Sequence, residues 1–109
     1  MATDKILTRV DGAVGRVIFN NPERRNAVSL EMWEAVEEAV DGFAEDPTVR
    51  VVVFSGAGGK AFVSGADISK FENERASQEA VKHYNNTTAR AYQKIEGLPK
   101  PTIAQIDGY

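Results

Sequence analysis

The sequence predicts an α/β protein of at most one domain, on three observations. Short runs rich in Ile, Val and Phe alternate with stretches whose apolar residues recur every three or four positions, and the connections carry glycine, proline and asparagine. One run, Val51-Val52-Val53-Phe54, is apolar without a break. Period 2 marks strands and period 3.6 marks helices, so their alternation along the chain is the pattern of helices packed on a sheet. The unbroken run implies a strand covered on both faces.

Residues 5–10 and 14–20 are two such short runs, separated by Asp11-Gly12-Ala13. Asp-Gly supplies the positive φ that a tight turn needs, so the pair reads as a hairpin. Asn20-Asn21-Pro22 stops the second strand, because proline has no N–H for a ladder and holds its neighbour extended. Glu23-Arg24-Arg25-Asn26 is then a polar loop with two adjacent cations. From Ser29 the period changes: Leu30, Trp33, Val36, Val40 and Phe43 form one apolar helix face, with Ser29 as N-cap, Glu31 placed for the dipole and Pro47 as the far limit. A strand over 49–54 follows. Beyond it the sequence predicts a short helical turn over 67–71 and a longer helix over 78–95, with Ala80, Val81, Tyr84, Thr88, Ala91, Tyr92 and Ile95 facing inward. Gly97-Leu98-Pro99-Lys100-Pro101 ends that helix, and residues 102–107 read as a further strand in the same sheet.

A chain of 109 residues buries about 60 to 70% of its unfolded surface, enough for one core and not for two. With 42% hydrophobic and 27% charged residues it is globular rather than disordered. The formal charge of −3 gives no general attraction to nucleic acid or to anionic membranes, so a polyanion would have to be met by a local cluster of cations. There is no cysteine, which removes disulfide and thiolate chemistry and fits a reducing compartment. No apolar run is long enough to span a bilayer, and the expected location is the cytoplasm.

The richest stretch runs from residue 49 to residue 71: a strand, then Ser55-Gly56-Ala57-Gly58-Gly59-Lys60, then Ala61-Phe62-Val63-Ser64-Gly65-Ala66-Asp67-Ile68. Closely spaced glycines let a backbone approach a ligand, and a helix opening after Gly65 would aim unpaired N–H groups at an anion or a polarised oxygen. Several familiar chemistries fail on spacing. Gly56-x-Gly58-x-x-Ala61 fits a relaxed dinucleotide fingerprint, but that motif needs a long helix at once and Phe62-Val63-Ser64-Gly65 is a poor one. A phosphate-binding P-loop needs Ser or Thr after Gly-Lys, where Ala61 stands. Ser64 lacks the upstream glycine of a nucleophile elbow. His83, the single histidine, falls on a predicted helix as a flank residue and makes no metal site alone.

With Asn21-Pro22-Glu23-Arg24-Arg25-Asn26-Ala27 upstream and Lys100-Pro101-Thr102-Ile103-Ala104-Gln105-Ile106-Asp107-Gly108 downstream, the stretch from Ala61 to Ile68 resembles the enoyl-CoA hydratase/isomerase, or crotonase, superfamily. The three motifs stand in the family's order and span nearly the whole chain. Taken alone, Arg24-Arg25 would be a solvated loop and Gly65 a turn glycine; their joint occurrence carries the resemblance.

The resemblance implies a crotonase-like ββα spiral, of which residues 1–109 are the N-terminal part. It implies binding of an acyl-CoA thioester, with coenzyme A as part of the substrate and no separate cofactor, and a thioester enolate held by two backbone N–H groups. The Ala66 amide matches the first donor. Arg24, Arg25 and Ala27, with Gly65, Ala66, Asp67 and Ile68, match the segments that line the CoA groove, and the two arginines would supply the local positive charge. Where the family often has a lysine directly after Ile68, this chain has Ser69 and then Lys70. The second donor, the acid/base carboxylates and the helical region through which relatives form trimers or hexamers match nothing here, because in the family they follow the counterpart of Asp107-Gly108-Tyr109. No carboxylate of this chain has a catalytic context: Asp67 reads as a cap or loop-bonding residue, and Glu72 and Glu74 as solvent-facing charge. Two readings stay open: part of an enoyl-CoA hydratase, isomerase or acyl-CoA hydrolase, or a non-catalytic piece that at most binds CoA. Neither involves nucleic acid or membrane.

Overall fold

The computed structural model describes residues 3–67 and 76–108. Two antiparallel strands open the chain, β1 (Ile6–Asp11) and β2 (Val14–Phe19). A 3₁₀ turn, Pro22–Arg24, leads to α1 (Leu30–Glu45); β3 (Val51–Gly56), α2 (Gln78–Glu96) and β4 (Thr102–Gln105) follow. The four strands form one sheet in the order β1-β2-β3-β4, with β2, β3 and β4 parallel. Parallel neighbours need a crossover, and α1 and α2 supply the two.

One face of the sheet carries the core. Val17 stands beside Phe54 and Phe19 beside Gly56 in the β2–β3 register, and Val17, Phe19, Val52 and Phe54 are buried with Met32, Trp33, Val36, Val40 and Phe43 of α1. Ser29 caps α1 by accepting a hydrogen bond from the Met32 N–H. At the other end no basic residue lies in the last turn, and the orphan carbonyls are met from a distance: the Lys100 ammonium donates to Phe43 O and to Asp46 O, the latter at 2.7 Å. Across the α1–α2 interface Glu37 pairs with Arg90 at 3.1 Å and Lys94 at 2.8 Å, and Asp41 pairs with Lys94 at 2.7 Å. The hydrogen bond from Lys94 chiefly holds the Glu37 carboxyl below its ordinary range, and the bond that Lys94 donates to Asp41 chiefly raises Lys94.

The predicted elements form, with shifts that have physical causes. β3 begins at Val51 rather than at residue 49, because the Val49 N–H closes a turn onto Asp46 O at 3.2 Å instead of joining the ladder. The buried stripe of α1 is wider than predicted, taking in Met32, Ala35 and Ala39, while Leu30 is only half-buried. On α2 the buried threonine is Thr87 and not Thr88, whose hydroxyl donates back to Tyr84 O at 2.9 Å. Tyr92 does not face inward as predicted; it is 52% exposed, with its ring edge-on to Trp33 at 5.1 Å. β4 stops at Gln105 and is exposed along its length as the sheet's edge. His83 is on the surface, 3.8 Å from Glu34. The helical turn predicted over 67–71 lies, beyond Asp67, outside the described residues. No described helix is long and apolar enough to cross a membrane.

Candidate functional site

Two loops at one end of the sheet, residues 20–28 after β2 and residues 57–67 after β3, lie against each other and are joined mainly by hydrogen bonds. The first loop is folded on itself around Asn21, whose carbonyl accepts from Arg24 N–H at 3.0 Å and Asn26 N–H at 2.8 Å. Arg25 and Asn26 take left-handed backbone angles, φ 53° and 60°. Asparagine tolerates that region better than most residues; arginine gains nothing from it, so the turn imposes it.

Two buried asparagines then cross the seam. The Asn26 side chain, 0% exposed, accepts from Asn21 N–H at 2.9 Å and donates to Ala57 O at 3.0 Å and Ala61 O at 2.9 Å. Asn21 donates to Ala27 O at 2.9 Å and approaches the Asp67 carboxylate at 3.5 Å. Gly56 leaves the space for this: a Cβ there would overlap the carbonyl oxygens of Ala61 and Phe62 and come 2.6 Å from Asn26 Nδ2.

The second loop is tied at almost every residue around Ala66. Ser64 N–H donates to Arg25 O at 3.2 Å, Val28 N–H to Gly65 O at 2.8 Å and Asp67 N–H to Val28 O at 3.0 Å. Val28 and Ala66 thus form a parallel bridge. In such a bridge Val28 spends its own N–H and C=O on the residues flanking Ala66, and the N–H and C=O of Ala66 face the opposite side. Ala66 is exposed, and among the described residues nothing accepts its N–H. The expected donor is therefore presented by an extended bridge at Ala66; the helix expected to begin there lies beyond the described residues.

The other predicted site residues divide. Arg24 and Arg25 are both exposed and, among the described residues, in no ion pair, but they line different hollows. Arg25 joins Pro22, Asn26, Gly58 and Lys60 around a hollow of about 270 Å³, whereas Arg24 joins Lys5, Asn20, Asn21 and Asp67 around one of about 590 Å³. Ala27 and Asp67 are buried, 8% and 2% exposed, so they act within the loops. Ile68 lies outside the described residues. Three residues went unassigned from sequence: Asn21 and Asn26, which build the seam, and Lys60, which adds a cation beside Arg25. The clue for Asn26 was available in principle, since asparagine is the usual non-glycine residue in a left-handed turn. At the far end of the chain Gly108, φ 77°, passes so close to the Lys60 backbone that a Cβ would overlap the Lys60 carbonyl, which brings the end of the last motif against the glycine-rich loop.

The enoyl-CoA hydratase/isomerase family profile matches residues 14–109. The chain is 39% identical over 99 residues to a Thermus thermophilus protein provisionally named enoyl-CoA hydratase, covering 89% of this chain and 38% of that protein. It is 28% identical over 109 residues to the crotonyl-CoA hydratase of Syntrophomonas wolfei, covering 100% of this chain and 41% of the relative. It superposes on the crystal structure of an enoyl-CoA hydratase/carnithine racemase from Magnetospirillum magneticum with a TM-score of 0.90 at 38% identity, covering 98% of this chain and 40% of that one. The chain thus spans about two fifths of the length of the relatives it matches. Its fold is crotonase-like, and it belongs to the enoyl-CoA hydratase/isomerase family.

Proposed function

We propose that this chain forms the CoA-thioester-binding part of an enoyl-CoA hydratase-type enzyme, in which the Ala66 N–H is one of two oxyanion donors. The observation that carries this is the Val28–Ala66 bridge, which ties the residues on both sides of Ala66 and leaves its amide turned outward. A donor fixed before the reaction stabilises an enolate oxygen without reorganising as charge develops. Arg24, Arg25 and Lys60 supply cations on both sides of the Pro22–Arg24 turn, suited to the phosphates of coenzyme A. Coenzyme A enters as part of the substrate.

Hydration of a 2-enoyl-CoA is the favoured reaction, since the relatives compared above carry hydratase names. Isomerisation or thioester hydrolysis would use the same donor with different acid/base groups. The full activity needs the second donor and the carboxylates that the family places after the counterpart of Gly108, in an assembly of three or six subunits. The 109 residues alone would therefore bind CoA weakly and turn nothing over.

Exchanging Ala66 for proline removes the N–H in question and adds little bulk. In a full-length protein containing this chain, that variant should lower kcat for enoyl-CoA hydration by about a hundredfold or more, while free CoA binds nearly as before. Circular dichroism would establish that the variant folds. A folded variant with full activity would remove Ala66 from the oxyanion hole, and turnover by the 109 residues alone would show that they contain catalytic carboxylates of their own.

A further inference from the structure

We infer that Asn26 is a positioning residue for the Ala66 amide: its carboxamide, closed between the two loops, sets where the segment bearing that N–H lies. The inference rests on the oxyanion reading of Ala66 and goes beyond it by assigning the group that holds the donor in place.

Three observations support it. The carboxamide uses both donors and its oxygen, and all three partners are backbone groups of the two loops: Asn21 N–H on one side, Ala57 O and Ala61 O on the other. The two carbonyls bracket the glycine turn, so one planar group fixes both its ends, and Ala61 begins the segment that reaches Ala66 five residues later. Gly56 is shaped to this group, since any side chain there would meet Asn26 Nδ2. A carboxamide with no exposure cannot exchange these partners for water, so replacing it shifts the backbone on one side of the seam or leaves buried carbonyls unpaired. The bonds that orient Ala66, from Ser64 N–H to Arg25 O, from Val28 N–H to Gly65 O and from Asp67 N–H to Val28 O, all tie residues 64–67 to residues 25–28, the segment Asn26 belongs to. Loss of the carboxamide therefore allows residues 61–67 to move relative to the glycine turn without unfolding the sheet.

A role in overall stability alone predicts something different. Asn26→Asp keeps size and the acceptor toward Asn21 but turns lone pairs toward Ala57 O and Ala61 O. Asn26→Gly keeps the left-handed backbone and removes only the side chain, and so carries the test should the aspartate fail to fold. The readout is the Ala66 amide proton in ¹H–¹⁵N spectra of the ¹⁵N-labelled chain, titrated in parallel with free CoA and with a 3-oxoacyl-CoA, whose acidic C2–H lets the thioester carbonyl oxygen carry enolate charge. In the unmodified chain the thioester should move the Ala66 resonance downfield and free CoA should not. In both variants CoA affinity should stay within about threefold of the original while the thioester-specific displacement falls by at least half. A folded variant that keeps the whole displacement overturns the role of Asn26 and leaves Ala66 standing. No displacement in the unmodified chain overturns the oxyanion reading itself, and the Asn26 inference with it.

Discussion

The helix-covered sheet and the seam between the two loops are held together by different means. Under α1 the contacts are apolar and redundant: Val17, Phe54, Met32, Val36 and Val40 pack as one cluster in which each side chain has several partners. The seam depends on a few directed bonds, those of the Asn26 carboxamide to Ala57 O and Ala61 O and the backbone bonds between residues 25–28 and 64–67. A packed core loses energy in proportion to what is removed and keeps its shape. A polar network either closes or leaves buried groups unpaired. Stability should therefore reside in the first region and the geometry of the site in the second.

The largest effect that separates them is expected at Trp33. Trp33→Ala should cost about 3 kcal/mol or more of unfolding free energy, read as a lower denaturation midpoint, because the indole is 9% exposed, belongs to the core cluster with Phe19 and Phe54, and meets Tyr92 edge-on. An unmoved midpoint would mean that the α1 face is not the stabilising region. A smaller loss, about 1 kcal/mol, is expected for Lys100→Met, which keeps the aliphatic stem and drops the bonds to Phe43 O and Asp46 O at the end of α1. Arg24→Ala and Arg25→Ala should change the midpoint by less than about 0.5 kcal/mol, since both residues are exposed, yet each should weaken CoA binding. Because the two line different hollows, their effects on CoA should add; a strongly non-additive double variant would place both on one phosphate.

The smallest effect is one of pH. The folded-state value of Glu37 lies below its ordinary 4.5, so its contribution is fully present above that value and fades as the pH falls through the folded one. Lys94, raised above 10.5, contributes fully below that value and loses its contribution as the pH rises through the folded one. Glu37→Gln should flatten stability on the acid side and lower it slightly at neutral pH, as expected for a partly exposed pair. An acid limb unchanged by the substitution would assign that limb to other carboxylates.

The two regions were unequally legible in the sequence for the same reason that they differ in chemistry. Apolar packing on a helix or strand repeats, and the repeat from Leu30 to Phe43 and the run from Val51 to Phe54 gave α1, β3 and their burial. Periodicity works less well where one face is shared, which is why it selects Thr88 over the buried Thr87 and turns Tyr92 inward. A buried carboxamide that bonds across 31 and 35 residues, as Asn26 does, leaves no repeat at all. Arg24 and Arg25 are neighbours in sequence, but the turn at Pro22–Arg24 and the left-handed Arg25 carry them to different hollows. The Ala66 amide was picked out by resemblance; the bridge that turns it outward became visible only in three dimensions.

The most direct test of the account is a ¹H–¹⁵N titration of the 109-residue chain with coenzyme A, read residue by residue. Salt-sensitive perturbations should concentrate on Arg24, Arg25 and Ala27 and on Lys60, Gly65 and Asp67, with the outer face of α1 and strand β4 unchanged. Saturable perturbations centred instead on the apolar groove formed by Trp33, Phe62, Val63, Tyr92 and Ile103, with the two loops silent, would contradict the placement of the CoA site at the seam.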